Sequence, residues 1–245
     1  MSEAVASGAR LQSIPRGVQA LRDPQARAYA AAAARRRRAL DALFWQAGLG
    51  RWADVWLSEE GASSVAEVAG IARARAPTLA DIAVPLWAGA ADADQAAESL
   101  IALRDSGLLG PGGASTTGIA SGQQWDAPNA WPPLQSMLIE GLEATGSPAG
   151  AELALDIARR WVGTCFAAWR ATGFMHEKYD ADDFGRGGVG GEYEPQVGFG
   201  WSNGVVLQLL ERFGDRLLLP GGGFLARPAV PSGPWPPRIL RLSSL

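Results

Sequence analysis

Two residue types that carry much of protein chemistry are almost missing from this chain. A single cysteine, Cys165, excludes an intrachain disulfide and a cysteine-rich zinc site. A single histidine, His176, argues against a histidine-based catalytic triad and a multi-histidine metal centre. No apolar run approaches the ~18 residues of a membrane span, and the first residues lack the apolar stretch of a secretory signal. Excess positive charge is missing as well: the net charge is −3, where a nucleic-acid partner favours a basic surface. The expectation is a protein without metal or cofactor, with no nucleic-acid or membrane partner and with a cytoplasmic location favoured.

What is present is bulk and tryptophan. At 245 residues with 47 % hydrophobic side chains, the chain can bury a sizeable core as one large domain or two small ones. Ten tryptophans offer flat, rigid faces suited to stacking on sugar rings, although most are expected to be ordinary core.

Residues 1–22 carry Arg10, Arg16 and Arg22 against the single acid Glu3, a faint likeness to an organelle transit peptide; a disordered leader is the expectation. From Pro24 to about Trp45 an Ala- and Arg-rich run predicts a helix with Asp23 as N-cap. Within it, Arg35 to Arg38 exceed one helical turn and so read as a solvated face rather than a localisation patch. Residues 48–61 predict a short hairpin or extended loop. A buried helix is predicted over 79–88, kinked or ended by Pro85. Asp92 and Gln95 form a capping-box pair ahead of Ala93, Ala96, Ala97, Leu100 and Leu103 on one face. Pro132 and Pro133 open the next helix, with Leu134, Leu138 and Leu142 at the four-residue step. Leu153, Ile157, Trp161, Cys165 and Ala168 mark the longest pattern, ended by Gly173. The last helix is predicted from near Asn203, burying Val206, Leu209, Leu210 and Phe213. Paired helices joined by loops imply an all-α fold. Six prolines from Pro220 to Pro237 make residues 216–245 an expected extended tail, leaving residues 23–215 as the folded unit.

Four segments carry the chemistry. The run from Gln124 through Trp125, Asp126, Pro128 and Asn129 to Trp131 sets an aromatic plate beside amide and carboxylate groups. It is followed by Glu177-Lys178-Tyr179, by Gly190-Gly191-Glu192-Tyr193, and by the run from Gly198 to Val205. In this order the four closely resemble the C-terminal part of the trehalase family of glycoside hydrolases. The resemblance spans roughly residues 25–215, with its specific motifs in 123–205. It implies a partial (α/α)6 toroid of about six helices, around half a ring, whose loops at one end build a sugar pocket. It also implies hydrolysis of trehalose to two glucose molecules with inversion.

Glycoside hydrolysis needs one acid to protonate the leaving oxygen and a second carboxylate on the opposite face. The resemblance makes Glu177 the general base and Glu192 a substrate-binding carboxylate. Taken alone, Glu177 reads more readily as a solvated surface group; the motif reverses that. Trp125 corresponds to a pocket tryptophan expected to stack on glucose, though by itself it reads as core. Gln124 and Asp126 are candidate hydroxyl partners, with loop fixing through backbone N–H groups as the alternative for Asp126. Tyr193 and Gln196 are lesser candidates, and Asn129 is expected to form a turn or cap the helix after it. Lys178 is expected to alternate away from the site along an extended backbone. Residues 185–190 satisfy G-x-G-x-x-G, but no strand precedes them and no helix follows, so they read as a loop needing positive φ and close backbone approach.

The chain departs from the family at Ala130, where the family has Gly, and at Pro132, usually Ala. The family's first signature and the segment bearing its general acid have no counterpart. The expectation is therefore a C-terminal fragment, inactive alone, whose unpaired helix faces favour self-association. A catalytically dead sugar-binding remnant and another α/α-toroid glycosidase are the competing readings.

Overall fold

The computed structural model describes residues 24–56, 73–74 and 76–217. The expected leader, residues 1–22, and residues 218–245 of the expected tail lie outside the described residues. Six helices are found among those described: α1 (Pro24–Phe44), α2 (Ala80–Trp87), α3 (Ala93–Asp105), α4 (Pro132–Ala144), α5 (Pro148–Thr172) and α6 (Gly200–Phe213). Eight two-residue strands form four antiparallel pairs: β1 (Trp45–Gln46) with β2 (Arg51–Trp52), β3 (Val55–Trp56) with β4 (Arg73–Ala74), β5 (Leu109–Gly110) with β6 (Gly113–Ala114), and β7 (Asn129–Ala130) with β8 (Tyr179–Asp180). Among the described residues no helix is long and apolar enough to cross a membrane.

The helices start and stop where local chemistry dictates. Asp92 accepts from Gln95 N while the Gln95 side chain accepts from Asp92 N, the full capping box of α3. Ser147 caps α5, and Gly173 in the left-handed conformation ends it. Helix α2 runs two residues past Pro85, which costs little because the ring removes only the bond to the Asp81 carbonyl in the last turns of an eight-residue helix.

Helix α4 is the hub, packing against α2, α5 and α6. Leu138, Ile139 and Leu142 of α4 join Ile82 and Leu86 of α2 and Ile157 and Trp161 of α5 in one core. Gly141 makes the α2–α4 approach possible, since a Cβ there would lie 2.8 Å from both Leu86 Cβ and Trp87 N. The α5 stripe of Leu153, Ile157, Trp161, Cys165 and Ala168 is buried throughout. Helix α1 buries none of its residues, so Arg35, Arg36 and Arg38 stand in solvent.

Two local expectations are corrected, and a third is decided between its alternatives. The buried face of α3 is Gln95, Ala96, Ser99, Leu100 and Leu103; Ala93 and Ala97 are exposed. Small alanines mark a helical face poorly, and the two leucines set its rotation. Helix α6 begins at Gly200 and buries Ser202, Val205, Leu209 and Phe213, leaving Leu210 exposed. Of the two roles expected of Asn129 the turn is the one found: its N–H donates to Asp126 O at 3.0 Å, and the N-cap of α4 is Trp131, without a side-chain cap bond.

Candidate active site

The site grows from the β7–β8 pair. Asn129 lies opposite Asp180 and Ala130 opposite Tyr179, so the tryptophan-rich segment and the Glu177 segment become neighbours. On its other edge the Glu177 segment meets the glycine-rich loop, where Gly188 N donates to Lys178 O at 2.8 Å and Asp180 N to Arg186 O at 3.0 Å. Chain on both sides leaves Glu177, Lys178, Tyr179 and Asp180 all buried. Asn129 ties the layers: its Oδ1 accepts from Val189 N at 3.0 Å and its Nδ2 donates to Asp126 O at 3.2 Å. Gly188 is required at this crossing, because a Cβ there would fall 2.6 Å from Asn129 Oδ1 and 2.9 Å from Lys178 Cγ. Gly190 and Gly191, with φ of 94° and 83°, turn the loop, and Gly191 N bonds Gly122 O at 3.1 Å.

Glu177 is only 6 % exposed. Its Oε2 accepts from the Tyr193 hydroxyl at 3.0 Å and from Gln196 N at 3.3 Å. Its backbone is held as well: Glu177 N donates to Gln196 O at 3.0 Å, and Trp201 Nε1 donates to Glu177 O at 2.9 Å. Partial burial, then the hydrogen bond to Glu177 and its charge, push the Tyr193 hydroxyl up to about 12.

Three indoles form a cluster that reaches the Glu177 segment through the Trp201–Glu177 O bond. Trp125 stacks on Trp131 with centroids 3.9 Å apart and planes at 9°, and Trp201 meets Trp131 edge-on at 5.5 Å. Trp131 is fully buried and donates through Nε1 to Gln124 O at 2.9 Å, whereas Trp125 remains 44 % exposed. Lys178, expected to point away, is instead inside the site: it has no exposed surface, and its Nζ lies 5.0 Å from the Trp131 centroid and 4.8 Å from that of Tyr193. Two-sided burial removes the alternation on which that expectation rested. A desolvated cation over aromatic faces gains about 2 kcal/mol. Burial pushes the Lys178 ammonium down in pKa, opposed by the charge of Glu177.

Gln124 is half-buried against the glycine loop, and Glu192 is exposed on it, with no hydrogen bond or ion pair among the described residues. Asp126 accepts from Thr117 Oγ1 at 2.8 Å and from Ser121 Oγ, bonds that fix the shape of its loop. Trp131 and Lys178 are the members of the cluster that sequence reasoning missed. The second tryptophan of the motif was a signal for the first; nothing in the sequence alone marked the second as buried.

Paired helices around one apolar core, with loops that gather a buried carboxylate, stacked indoles and a glycine turn, have the architecture of an α/α toroid. The family model described as Trehalase matches residues 10–214, and the chain belongs to that family. It is similar to the probable trehalase of Oryza sativa subsp. japonica, 45 % identical over 188 residues that cover 73 % of this chain and 33 % of that protein. Trehalase from Homo sapiens is 38 % identical over 197 residues, covering 80 % and 32 %. Periplasmic trehalase from Pseudomonas aeruginosa is 47 % identical over 139 residues, covering 57 % and 24 %. In fold the chain resembles neutral trehalase Nth1 from Saccharomyces cerevisiae, with a TM-score of 0.60 at 23 % identity over 78 % of this chain and 32 % of that one. The architecture is accordingly part of an (α/α)6 toroid. The chain spans about a third of the length of the rice and human relatives it matches.

Proposed function

We propose that this chain carries the base-bearing part of a site that hydrolyses trehalose to two glucose molecules with inversion, built on residues 23–215. The observation that supports this reading is the setting of Glu177. Both hydrogen bonds to its side chain fall on Oε2, which leaves Oε1 as the oxygen to take a proton from an attacking water. Trp125 offers a ring to one glucose face, and Glu192 and Gln124 offer hydroxyl partners on the adjoining loops. Asp126 acts chiefly through the shape of its loop.

No carboxylate of the chain matches the family's general acid. Asp180 lies three residues from the base on the same segment, where its Oδ1 holds the turn by accepting from Asp182 N at 2.8 Å and Asp183 N at 3.0 Å, rather than on the opposite face where an acid is needed. Without an acid the leaving oxygen departs unprotonated, a loss of ~10²–10⁴-fold. The purified chain is therefore expected to release glucose from trehalose only very slowly. Fused to the matching N-terminal portion of the rice relative, it is expected to turn over, and Glu177→Gln to abolish that turnover while trehalose still binds. Near-normal kcat in the fused Glu177→Gln protein removes Glu177 from the mechanism. Robust turnover by the unfused chain, lost in Glu177→Gln, reveals an acid within these residues.

A further inference from the structure

Lys178 has no part in the reaction outlined above, yet it is the most deeply buried charge beside the carboxylate. Its Nζ sits between the rings of Trp131 and Tyr193 and 3.5 Å from the Tyr193 hydroxyl. Tyr193 itself is 40 % exposed on a loop turned by Gly190 and Gly191, so packing alone holds it weakly. Among the described residues its side chain meets two charged groups, Lys178 and Glu177. A phenol so placed would swing into water unless something grips its ring.

We propose that Lys178 is a positioning residue, whose ammonium pins the Tyr193 ring so that the Tyr193 hydroxyl orients Glu177 through Oε2. This rests on the reading of Glu177 as the base. The chain of contact runs from Trp131, the rigid buried wall, to the ammonium, to the tyrosine ring, to the carboxylate. Each link is a distance given above, and the ammonium is the only link that attracts both rings at once. Methionine at position 178 would keep the length and bulk of the side chain and lose the charge; arginine would keep the charge. A space-filling role and a charge-based role therefore predict opposite rankings.

The measurement is hydrogen exchange of the Tyr193 hydroxyl at pH 7, read from the 13Cζ isotope splitting in full chain labelled at its three tyrosines. The wild-type hydroxyl is expected to exchange slowly. Lys178→Met is expected to speed exchange at least ~10-fold, the kinetic loss that about 1.4 kcal/mol represents, and Lys178→Arg to stay within a few-fold of wild type. Tyr179 is the internal control, since its buried hydroxyl stays protected in any folded variant. Equal protection of Tyr193 in wild type and Lys178→Met overturns the proposal. A second comparison covers failure of Lys178→Met to fold. Tyr193→Phe loses the hydrogen bond to Glu177 but keeps the ring over the ammonium, so its urea midpoint should fall less than that of Tyr193→Leu, which loses both. Equal midpoints for those two variants overturn the proposal as well. Neither measurement needs turnover, so loss of the pinning role and loss of the Glu177 assignment remain separate results.

Discussion

The indole of Trp125 lies flat on that of Trp131, their centroids 3.9 Å apart and their planes 9° from parallel. Trp131 is anchored in the core, so it fixes the plane in which the exposed ring of Trp125 is presented. Such a ring meets a sugar without the cost of ordering a loose side chain. Trp125→Ala is expected to weaken trehalose binding about 10-fold, or ~1.4 kcal/mol, in a titration followed by NMR. Loss of folding stability should stay within about 1.5 kcal/mol, the range of an aromatic pair. Unchanged affinity in Trp125→Ala would place the sugar elsewhere.

Gly188 offers a test of the loop crossing. Alanine there must displace Asn129 Oδ1 or the Lys178 stem, both held by bonds or burial. Overpacking of this kind costs about 1–3 kcal/mol, and the urea midpoint of Gly188→Ala, followed by tryptophan fluorescence, should fall accordingly. Alanine at Gly118, where a Cβ meets nothing within 4 Å, is the matched control and should leave the midpoint unchanged.

The parts legible in the sequence were those governed by local chemistry or a long period. The capping box of Asp92 and Gln95 and the five-residue stripe of α5 are read directly from spacing. The motifs around Trp125 and Glu177 carry the family resemblance in the sequence itself. What escaped was set by non-local contact. Lys178 sits in a segment flanked by chain on both edges, so alternation along the strand carries no information about exposure. The stacking of Trp125 on Trp131 closes a loop of five intervening residues, and spacing alone does not say which ring is core. Helix α6 starts at Gly200, ahead of Asn203, where the Trp201 indole and the Ser202 hydroxyl bond the Glu177 and His176 carbonyls, contacts far away in sequence.

Arg51 and Asp81 form a buried ion pair at 3.0 Å that ties the β1–β2 hairpin to α2. Burial pushes the Arg51 pKa down and the Asp81 pKa up, opposed at Asp81 by its hydrogen bonds with Thr78 and then by the Arg51 charge. Asp81→Ala removes the carboxylate facing the guanidinium and also the acceptor for Thr78 N. The expected loss is about 3–5 kcal/mol, read as a lower urea midpoint. Asp81→Asn, which can still accept from Thr78, should lose less; equal losses would assign the effect to charge alone.

Cys165 supplies a prediction with a definite sign in pH. Its thiol is fully buried in the α5 stripe, and burial pushes its pKa well above the ordinary value. The folded chain therefore keeps a proton that the unfolded chain releases above about pH 8.5. That proton contributes stability fully below pH 8.5, and the contribution is lost as pH rises, at about 1.4 kcal/mol per unit. Lys178, lowered in pKa, contributes with the opposite sign as pH approaches its ordinary value, and it does so equally in wild type and in Cys165→Ala. The difference between those two proteins thus isolates the thiol. At pH 7 wild type should be the more stable, because alanine leaves a small cavity. From pH 8.5 to 9.5 the gap should narrow by about 1 kcal/mol, before the tyrosines begin to ionise. Urea midpoints measured at both pH values decide it, and a gap independent of pH would mean that the thiol reaches water.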